Sequence, residues 1–382
     1  MPASSRELRG QFLLDPDVVF LNHGSFGACP KPVFETFQRW QLDLERQPVE
    51  FLGRRVDDLL AVARTSLGSY LNAPADDLIF VPNATTGINI VARSLALNPG
   101  DEILTSDQEY GAMDYTWEFV CKKTGARYIH HPIPLPVTTT EDFVEHFWQA
   151  VTPRTRVIFL SHITSPTALI YPIEEICRRA RAAGILTVID GAHAPGQISL
   201  DLQALDVDFY SGNCHKWLCA PKGSAFLYVR PEHQTVIEPM VISWGYTESA
   251  NFVTRNQWQG TRDVSAFLTV PAAIQWQADH DWDAVREQCH ALATDTRQQL
   301  AELTNLPQIA PASSVWYRQM FTAPLPDCDP VQLKSQLYEQ YKVEVPLVNW
   351  NGRDYVRVSI QGYTTREETD TLLTAMKNLL KL

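Results

Sequence analysis

Two neighbouring stretches, DGAHAPG at residues 190–196 and DFYSGNCHKWLCAPKGSAFLYV at residues 208–229, determine the fold that the sequence predicts. One strand ends at Asp190, a second apolar strand follows, and Lys216 lies in the turn before a third strand. Working outward, similar β-branched runs recur at LIFV (78–81), RVIFL (156–160), LTVID (186–190) and SAFLYV (224–229). Longer amphipathic stretches separate them, which predicts βαβ units, an α/β fold and a mostly parallel sheet that binds ligands at its carboxyl strand ends.

The pattern changes after residue 276. A long helical stretch is followed by the strand-like run VWYRQMF at residues 315–321, a helix, two further strands and a closing helix, which predicts a smaller α+β unit. Residues 236–265 are aromatic and polar without periodicity, and we expect a long functional loop there. The expected division is therefore an N-terminal arm (1–20), a large domain (21–265) and a small C-terminal domain (266–382).

Composition narrows the class of partner. The net charge of −12 argues against nucleic acid or an anionic membrane surface, because both attract basic patches, so we expect a small-molecule partner. The sequence has neither a signal-peptide-like start nor an apolar run of membrane-spanning length, and we therefore expect a cytoplasmic protein. Its seven cysteines are scattered without a CxxC pair, so we expect no metal site and no disulfide framework.

Asp190 and Lys216 suggest the chemistry. A carboxylate deep in the fold can keep a pyridine nitrogen protonated, and a lysine amine can hold an aldehyde as a Schiff base and later move the Cα proton of a substrate. These are the two protein groups that pyridoxal 5′-phosphate (PLP) needs. Upstream, NATTGIN at residues 83–89 predicts a helix N-terminus that could receive the phosphate at Ala84, Thr85 and Thr86. Each group alone is commonplace, but their order and spacing together favour a PLP site.

At these residues the sequence resembles the class-V aminotransferases of PLP fold type I, and within them the isopenicillin N epimerase-like proteins. The matching motifs are FLNHGSFGACP (20–30), DQEYGAM (107–113), SHITSPTALIYPI (161–173), DGAHAPG (190–196) and GNCHKWLCAPKG (212–223). The resemblance covers essentially the whole chain. It implies an aspartate aminotransferase-like fold, with a mostly parallel seven-stranded sheet in the large domain.

The resemblance also implies roles for individual residues. Asp190 would pair with the pyridinium, His193 would contact the cofactor's 3-hydroxyl, and Lys216 would form the Schiff base. Tyr110 would stack on the cofactor face. Asn213 and His215 would contact the phosphate beside Ala84, Thr85 and Thr86. Ser165 replaces an asparagine that many relatives use on the cofactor ring, so that contact is expected to differ.

Two further motifs concern the neighbouring subunit and the substrate. Thr261, in WQGTRD, matches a threonine that reaches the phosphate of the other subunit, which implies a homodimer with shared active sites. Arg357, in YVRVSI, would form a two-pronged salt link with the substrate carboxylate. Asn22 and His23 are expected to border the same substrate pocket.

Three reactions at Cα stay open from the sequence. Epimerisation or racemisation needs a second acid–base group opposite Lys216, for which Tyr110 and His23 are candidates. β-Elimination by a C–S lyase, from cysteine, cystine or a hercynylcysteine sulfoxide-like conjugate, needs only Lys216 and a leaving group at Cβ. Transamination by an aminotransferase needs a second substrate. We favour the epimerase-like reaction because the local motifs are most similar to that group.

Two other functions are disfavoured. Cysteine desulfurases carry a catalytic cysteine shortly before the carboxylate-binding arginine, whereas residues 344–359 contain no cysteine. Cys328 lies nearly thirty residues before Arg357, with a predicted helix between them, so we assign it no persulfide role. A non-catalytic PLP-fold regulator or scaffold is the remaining alternative, and a complete site that includes Lys216 argues against it.

Overall fold

A seven-stranded sheet forms the centre of the structure, a computed structural model that describes residues 4–382. The strands of the chain are β1 (Val19–Phe20), β2 (Leu78–Val81), β3 (Glu102–Ser106), β4 (Arg127–His131), β5 (Thr155–Ser161), β6 (Leu186–Gly191), β7 (Phe209–Asn213), β8 (Ala225–Val229), β9 (Met320–Pro324), β10 (Val343–Glu344), β11 (Leu347–Trp350) and β12 (Arg353–Ser359). The central order is β2-β8-β7-β6-β5-β3-β4, and every pairing is parallel except those of β8. The predicted α/β fold with a mostly parallel seven-stranded sheet is confirmed.

Helices cover both faces of this sheet. They are α1 (Ser5–Gly10), α2 (His23–Phe26), α3 (Lys31–Arg46), α4 (Pro48–Glu50), α5 (Val56–Leu71), α6 (Ala84–Ser94), α7 (Gly111–Thr124), α8 (Thr140–Trp148), α9 (Ile173–Ala182), α10 (Phe252–Gln257), α11 (Ser265–Leu268), α12 (Val270–Asp279), α13 (Trp282–Thr304), α14 (Pro330–Tyr341) and α15 (Arg366–Leu380). A π-helical turn (Phe51–Arg55) and two 3₁₀ turns (Ala75–Asp77 and Pro231–Val236) complete the helical elements. Between residues 4 and 382, no helix combines the length and the apolar character that crossing a membrane requires.

The central strands are buried on both sides because they separate two hydrophobic clusters. In β5, Val157 and Phe159 belong to the cluster on one face, whereas Ile158 and Leu160 belong to the cluster on the other. This alternation follows from the two-residue repeat of a strand, and burial on both faces explains the nearly continuous apolar runs in the sequence. Polar residues are left for the carboxyl ends of the strands, where ligands are bound in such sheets.

A second, antiparallel sheet has the order β11-β12-β9, and a short parallel pair joins β1 to β10. The predicted strand at residues 315–321 differs from the structure, because the strand begins only at Met320. Trp316 and Tyr317 are buried through their side chains, but their backbone lies in a turn that hydrogen-bonds to Ser313. The expected domain boundaries at residues 20/21 and 265/266 stay a prediction.

The segment at residues 236–265 is more ordered than we expected of a loop. It contains helix α10, whose first turn is capped by the Asn251 side chain, which accepts a hydrogen bond from Thr254 N at 2.8 Å. Phe252 and Val253 of this helix are buried. The helix is short and carries no long apolar periodicity, which explains why the sequence pattern did not reveal it.

Candidate active site

A cavity of about 330 Å³ opens where β5, β6 and β7 end and helix α6 begins. This volume lies within the range of small-molecule sites. Its wall is formed by Gly24, Ser25, Phe26, Asn83, Ala84, Thr85, Tyr110, Ser161, Ile163, Ser165, Asp190, Ala192, His193, Asn213, His215, Lys216 and Arg357. The wall therefore combines the predicted strand-end and turn residues with a segment close to the N-terminus.

Lys216 lies in the turn after β7, and its side chain reaches His193. Nζ of Lys216 lies 3.2 Å from Nε2 of His193, and the Trp217 indole N–H donates to Nδ1 of the same ring at 3.3 Å. Because Nδ1 accepts a hydrogen bond, a neutral imidazole must carry its hydrogen on Nε2 and donate it to Nζ. Only an uncharged amine can accept that hydrogen bond, so the contact indicates neutral Lys216.

The electrostatic environment favours the same protonation state. Burial and the positive charge of Arg357 lower the pKa of Lys216 to about 7, against the opposite effect of Asp190. Burial, with the charges of Lys216 and Arg357, also lowers the pKa of His193 well below its usual range. Lys216 is thus a buried amine that is available as a nucleophile near neutral pH.

Asp190 lies near the end of β6 and is the one acidic side chain on the cavity wall within residues 4–382. Its Oδ1 accepts a hydrogen bond from Ala192 N at 2.9 Å, which fixes the carboxyl at the strand end. Burial raises its pKa, and the backbone hydrogen bond and Lys216 oppose that shift. A carboxyl group in such a position can share a proton with a buried ring nitrogen.

The N-terminus of α6 lies at another part of the wall and is a candidate anion site. The first N–H groups of a helix have no intrahelical acceptors. Asn213 Oδ1 accepts that of Ala84 at 2.8 Å, and Asn83 Oδ1 accepts that of Thr86, also at 2.8 Å. Thr85 lies between them on the wall, so its N–H could bind an anion with help from the helix dipole. The predicted cradle residue Thr86 does not line the cavity, because its hydroxyl donates to Asn83 as well.

His215 is on the wall but is oriented by the backbone. Its Nδ1 lies 2.9 Å from the carbonyl oxygen of Ser224, so Nδ1 carries the hydrogen and Nε2 is unprotonated in the neutral ring. Burial lowers the pKa of His215 to about 4. His215 can therefore donate to an anion through Nε2 only after it takes up a second proton, which the anion itself would favour.

Arg357 is a buried cation without an acidic partner. It is only 7% exposed, and no acidic side chain of the described chain compensates its charge. Nη1 donates to the backbone oxygen and to Oγ of Ser165 at 2.7 and 3.0 Å, and Nη2 donates to Ser25 Oγ at 3.1 Å. Its Nε is buried and has no partner among residues 4–382. A carboxylate entering the cavity would supply the missing negative charge.

Tyr110 stands at the mouth of the cavity, just before helix α7. Its side chain is 48% exposed, and it is close enough to Arg357 to influence the pKa of that guanidinium. The structure thus places a hydroxyl group beside the candidate carboxylate site, on a different element from Lys216. Ser165, whose contact with the cofactor ring we expected to differ from that of relatives, lines the cavity and holds Arg357.

Besides Thr86, three predicted site residues are not on the wall. His23 is fully buried behind Lys216: its Nε2 lies 3.0 Å from the Lys216 carbonyl oxygen, and its Nδ1 lies 3.0 Å from the Tyr363 hydroxyl. Both ring nitrogens are therefore engaged, and burial lowers the pKa of His23 to about 3. Asn22 is held away from the cavity by a hydrogen bond to Glu344 at 3.0 Å, and the exposed Thr261 lines no part of it in this single chain.

Several residues of the site were missed at the sequence level. Ser25 and Ser161 line the cavity, Trp217 orients His193, and Glu109 hydrogen-bonds to Ser161 from behind the wall. Trp217 and Glu109 adjoin Lys216 and Tyr110, whereas Ser25 and Ser161 lie within the motifs at residues 20–30 and 161–173, so position in a motif was the available signal. Gly27 has a φ of +71°, and a Cβ there would overlap the His215 carbonyl oxygen, which explains the glycine in this motif.

Comparisons with known proteins show the family of this chain. The family model described as aminotransferase class-V matches residues 28–372. Isopenicillin N epimerase of Amycolatopsis lactamdurans is 37% identical over 390 residues, which cover 98% of this chain and 98% of the relative. A probable chloroplastic L-cysteine desulfhydrase of Arabidopsis thaliana is 28% identical over 99% of this chain and 86% of its own length. Among solved structures, a mutant of C-DES with glycine covalently linked to its PLP cofactor has a TM-score of 0.85 at 22% identity, over 96% of this chain and 98% of that chain.

Proposed function

Because this chain belongs to the class-V aminotransferase family, we propose that it acts at the Cα of an amino acid, with epimerisation or racemisation as the reaction we favour. The chain is a PLP-dependent enzyme of fold type I. When bound, PLP supplies an aldehyde that takes up an amino group and a ring that accepts the electron pair left when a bond at Cα breaks. The observation that carries the proposal is the buried Lys216 amine, whose Nζ lies 3.2 Å from His193 Nε2 inside the cavity.

The residues present fit this cofactor. The cavity contains a buried amine at Lys216, a buried carboxyl at Asp190 and an anion site at the start of α6. We propose that Lys216 Nζ holds the cofactor covalently, that Asp190 keeps its ring nitrogen protonated, and that His193 contacts its 3-hydroxyl. The phosphate would be held by the Thr85 N–H, by Asn213 and by His215, beside Ala84, whose own N–H donates to Asn213.

Arg357 indicates the chemical class of the substrate. The buried guanidinium lacks an acidic partner and retains a free buried Nε, and we propose that it binds the α-carboxylate of an amino acid. Ser25 and Ser165 orient the guanidinium through its two terminal nitrogens, so that the position of the carboxylate is defined before it binds. Fixing that group positions Cα relative to Lys216.

Epimerisation needs two proton-carrying atoms at Cα, and the structure supports Lys216 Nζ and Tyr110 Oη for them. His23, the other candidate, is withdrawn behind Lys216 with both ring nitrogens engaged. Tyr110 is half exposed on the wall, beside Arg357 and on a separate element from Lys216. Two isopenicillin N epimerases at 37% and 36% identity support this reaction over others of the family.

A C–S lyase is the second candidate. Relatives named as L-cysteine desulfhydrases are 27–28% identical over at least 95% of this chain. Elimination of a thiol from Cβ needs one base, and Lys216 alone could serve. Within the described chain the cavity wall contains no cysteine, which disfavours a protein-bound persulfide but does not hinder release of the sulfur product.

One experiment separates these reactions. The purified holoenzyme is incubated in deuterated water with isopenicillin N, L-cysteine, cystine and a panel of common amino acids, and Lys216→Ala serves as the control. Deuterium at Cα with a mixture of stereoisomers supports epimerisation. Keto acid with released sulfide or thiol supports elimination, and keto acid that forms only with an amino acceptor supports transamination. If no turnover depends on Lys216, the proposal fails.

We also propose a homodimer with shared active sites, in the cytoplasm. Support comes from an apolar strip at residues 236–246, in which Val236, Met240, Val241, Ile242, Trp244 and Tyr246 are exposed, Trp244 by 90%. Contiguous exposed apolar surface usually marks a contact with another protein. The strip and Thr261 both lie in the segment at residues 236–265, and Thr261 is the residue expected to reach the phosphate of the second subunit. A second copy of this chain is therefore the partner that we propose for it.

A further inference from the structure

A buried carboxyl group lies directly behind the cavity wall. Glu109 precedes Tyr110 and is 7% exposed. Its Oε1 accepts a hydrogen bond from Ser106 Oγ at 2.6 Å, and its Oε2 accepts two from Ser161, from the backbone N at 2.8 Å and from Oγ at 2.6 Å. The carboxyl therefore joins the ends of strands β3 and β5.

The same hydrogen bonds lead to the candidate cofactor site. Ser161 lines the cavity, and it pairs with Asp190 between the parallel strands β5 and β6. Glu109 thus stands one strand away from Asp190, within reach of its charge. The two carboxyl groups disfavour each other's ionisation, because like charges repel more strongly in a buried site.

Glu109 also lacks a neutralising partner. No basic side chain of residues 4–382 compensates its charge; burial raises its pKa to about 8, its three hydrogen bonds oppose the shift, and Asp190 adds to it. The titratable groups that face Glu109 or its hydrogen-bond partners are Asp107, Tyr128, His130, Tyr171 and Asp190. Burial raises the pKa of both tyrosines, so they stay neutral near pH 8.

We propose that Glu109 is a positioning residue. Its charge, acting through Asp190, sets the pH above which the ring nitrogen of the cofactor loses its proton. This inference rests on the proposed function, because it needs PLP beside Asp190. As pH rises and Glu109 ionises, its negative charge increases the proton affinity of Asp190 and of the nitrogen that shares its proton. The electron-accepting form of the cofactor is thereby kept into the alkaline range.

The test uses the holoenzyme with PLP labelled with ¹⁵N in the ring, and follows the ring-nitrogen resonance between pH 6 and 10. Glu109→Gln preserves the size of the side chain and removes the charge, so its midpoint should fall by about half a pH unit or more. Asp107→Asn is the matched control, since it removes a neighbouring carboxylate that is not bonded to Ser161 and should leave the midpoint unchanged. Equal midpoints in the wild type and Glu109→Gln would overturn the inference.

A second measurement needs neither the variant nor the cofactor. Cofactor-free wild-type protein labelled with ¹³C at the glutamate carboxyls should show one buried carboxyl that titrates near pH 8. If every glutamate titrates below pH 6, the inference is wrong even where Glu109→Gln does not fold. Failure of the proposed function would be recognised separately, because the absorbance of the attached cofactor would then not depend on Lys216. If only the inference about Glu109 fails, that dependence on Lys216 remains.

Discussion

Nζ of Lys216 lies 3.2 Å from Nε2 of His193, whose other nitrogen is occupied by the Trp217 indole N–H. The three side chains form a directional chain of hydrogen bonds, in which the indole can only donate and the imidazole must pass its own hydrogen to the amine. This contact and burial consequently favour the free base of Lys216. The reactivity of the amine should therefore depend on pH in a way that can be measured.

Cofactor attachment should depend on pH through Lys216. The uncharged amine is the nucleophile, and its fraction increases as pH rises through a pKa of about 7. The attachment rate of PLP to cofactor-free protein should therefore rise to about pH 8 and then level off. Stopped-flow absorbance measures this rate, with Lys216→Ala as the blank. A rate that still increases tenfold between pH 8 and pH 9 would contradict the depressed pKa.

Arg357→Ala should weaken amino-acid binding by about 2–5 kcal/mol, because a buried charge-assisted contact loses one partner. Arg357→Lys keeps the charge but not the planar fork, so an intermediate loss is expected. Spectral titration of the holoenzyme measures both. The decarboxylated amine of the same substrate is the matched ligand control, and equal losses for amine and amino acid would remove Arg357 from the carboxylate site.

Phosphate binding should be coupled to protonation of His215. The neutral ring donates only through Nδ1, to Ser224, so a phosphate contact at Nε2 requires a second proton and raises the pKa above its free value of about 4. Affinity for inorganic phosphate should thus increase as pH falls through the pKa of the bound state. Calorimetry on wild type and His215→Gln tests this, since their difference cancels the ionisation of phosphate itself. Parallel pH profiles would exclude the coupling.

Tyr110→Phe separates the two leading reactions. Loss of a catalytic acid–base group typically lowers a rate by about 10²–10⁴-fold. Epimerisation should fall by such a factor while the ring still packs at the cavity, so that cofactor affinity changes little. Elimination from a cysteine conjugate should be nearly unaffected, because it uses Lys216. Unchanged racemisation, measured by chiral chromatography, would assign the second proton transfer to another group.

Trp244→Ser should weaken the proposed dimer, because it removes the most exposed aromatic side chain of the apolar strip. Sedimentation velocity over a range of concentrations should show more monomer than in the wild type. Val331→Ser, at an exposed apolar position in α14, is the matched control and should behave like the wild type. A monomeric wild type with full activity would disprove a shared site.

The sequence predicts the central sheet and the polar ends of its strands well, for physical reasons. Strands buried on both faces must be continuously apolar, so their ends are visible as the first polar residues, such as Asp190. Contacts between distant segments carry no comparable local pattern. The turn of α2 directs His23 toward Tyr363 and away from the cavity, and it leaves the neighbouring Ser25 on the wall. The burial of Glu109 likewise depends on the packing of strands around it.

The pairing of β1 with β10 has a practical consequence for redesign. This short ladder, together with the Ser25–Arg357 contact, fastens residues 19–25 to the C-terminal part of the chain, while residues 24–26 form part of the pocket. Directed evolution of substrate preference should therefore diversify this early segment together with the surroundings of Arg357, because either one altered alone would misalign the other. Affinity tags are better placed after the exposed Leu382 than close to β1.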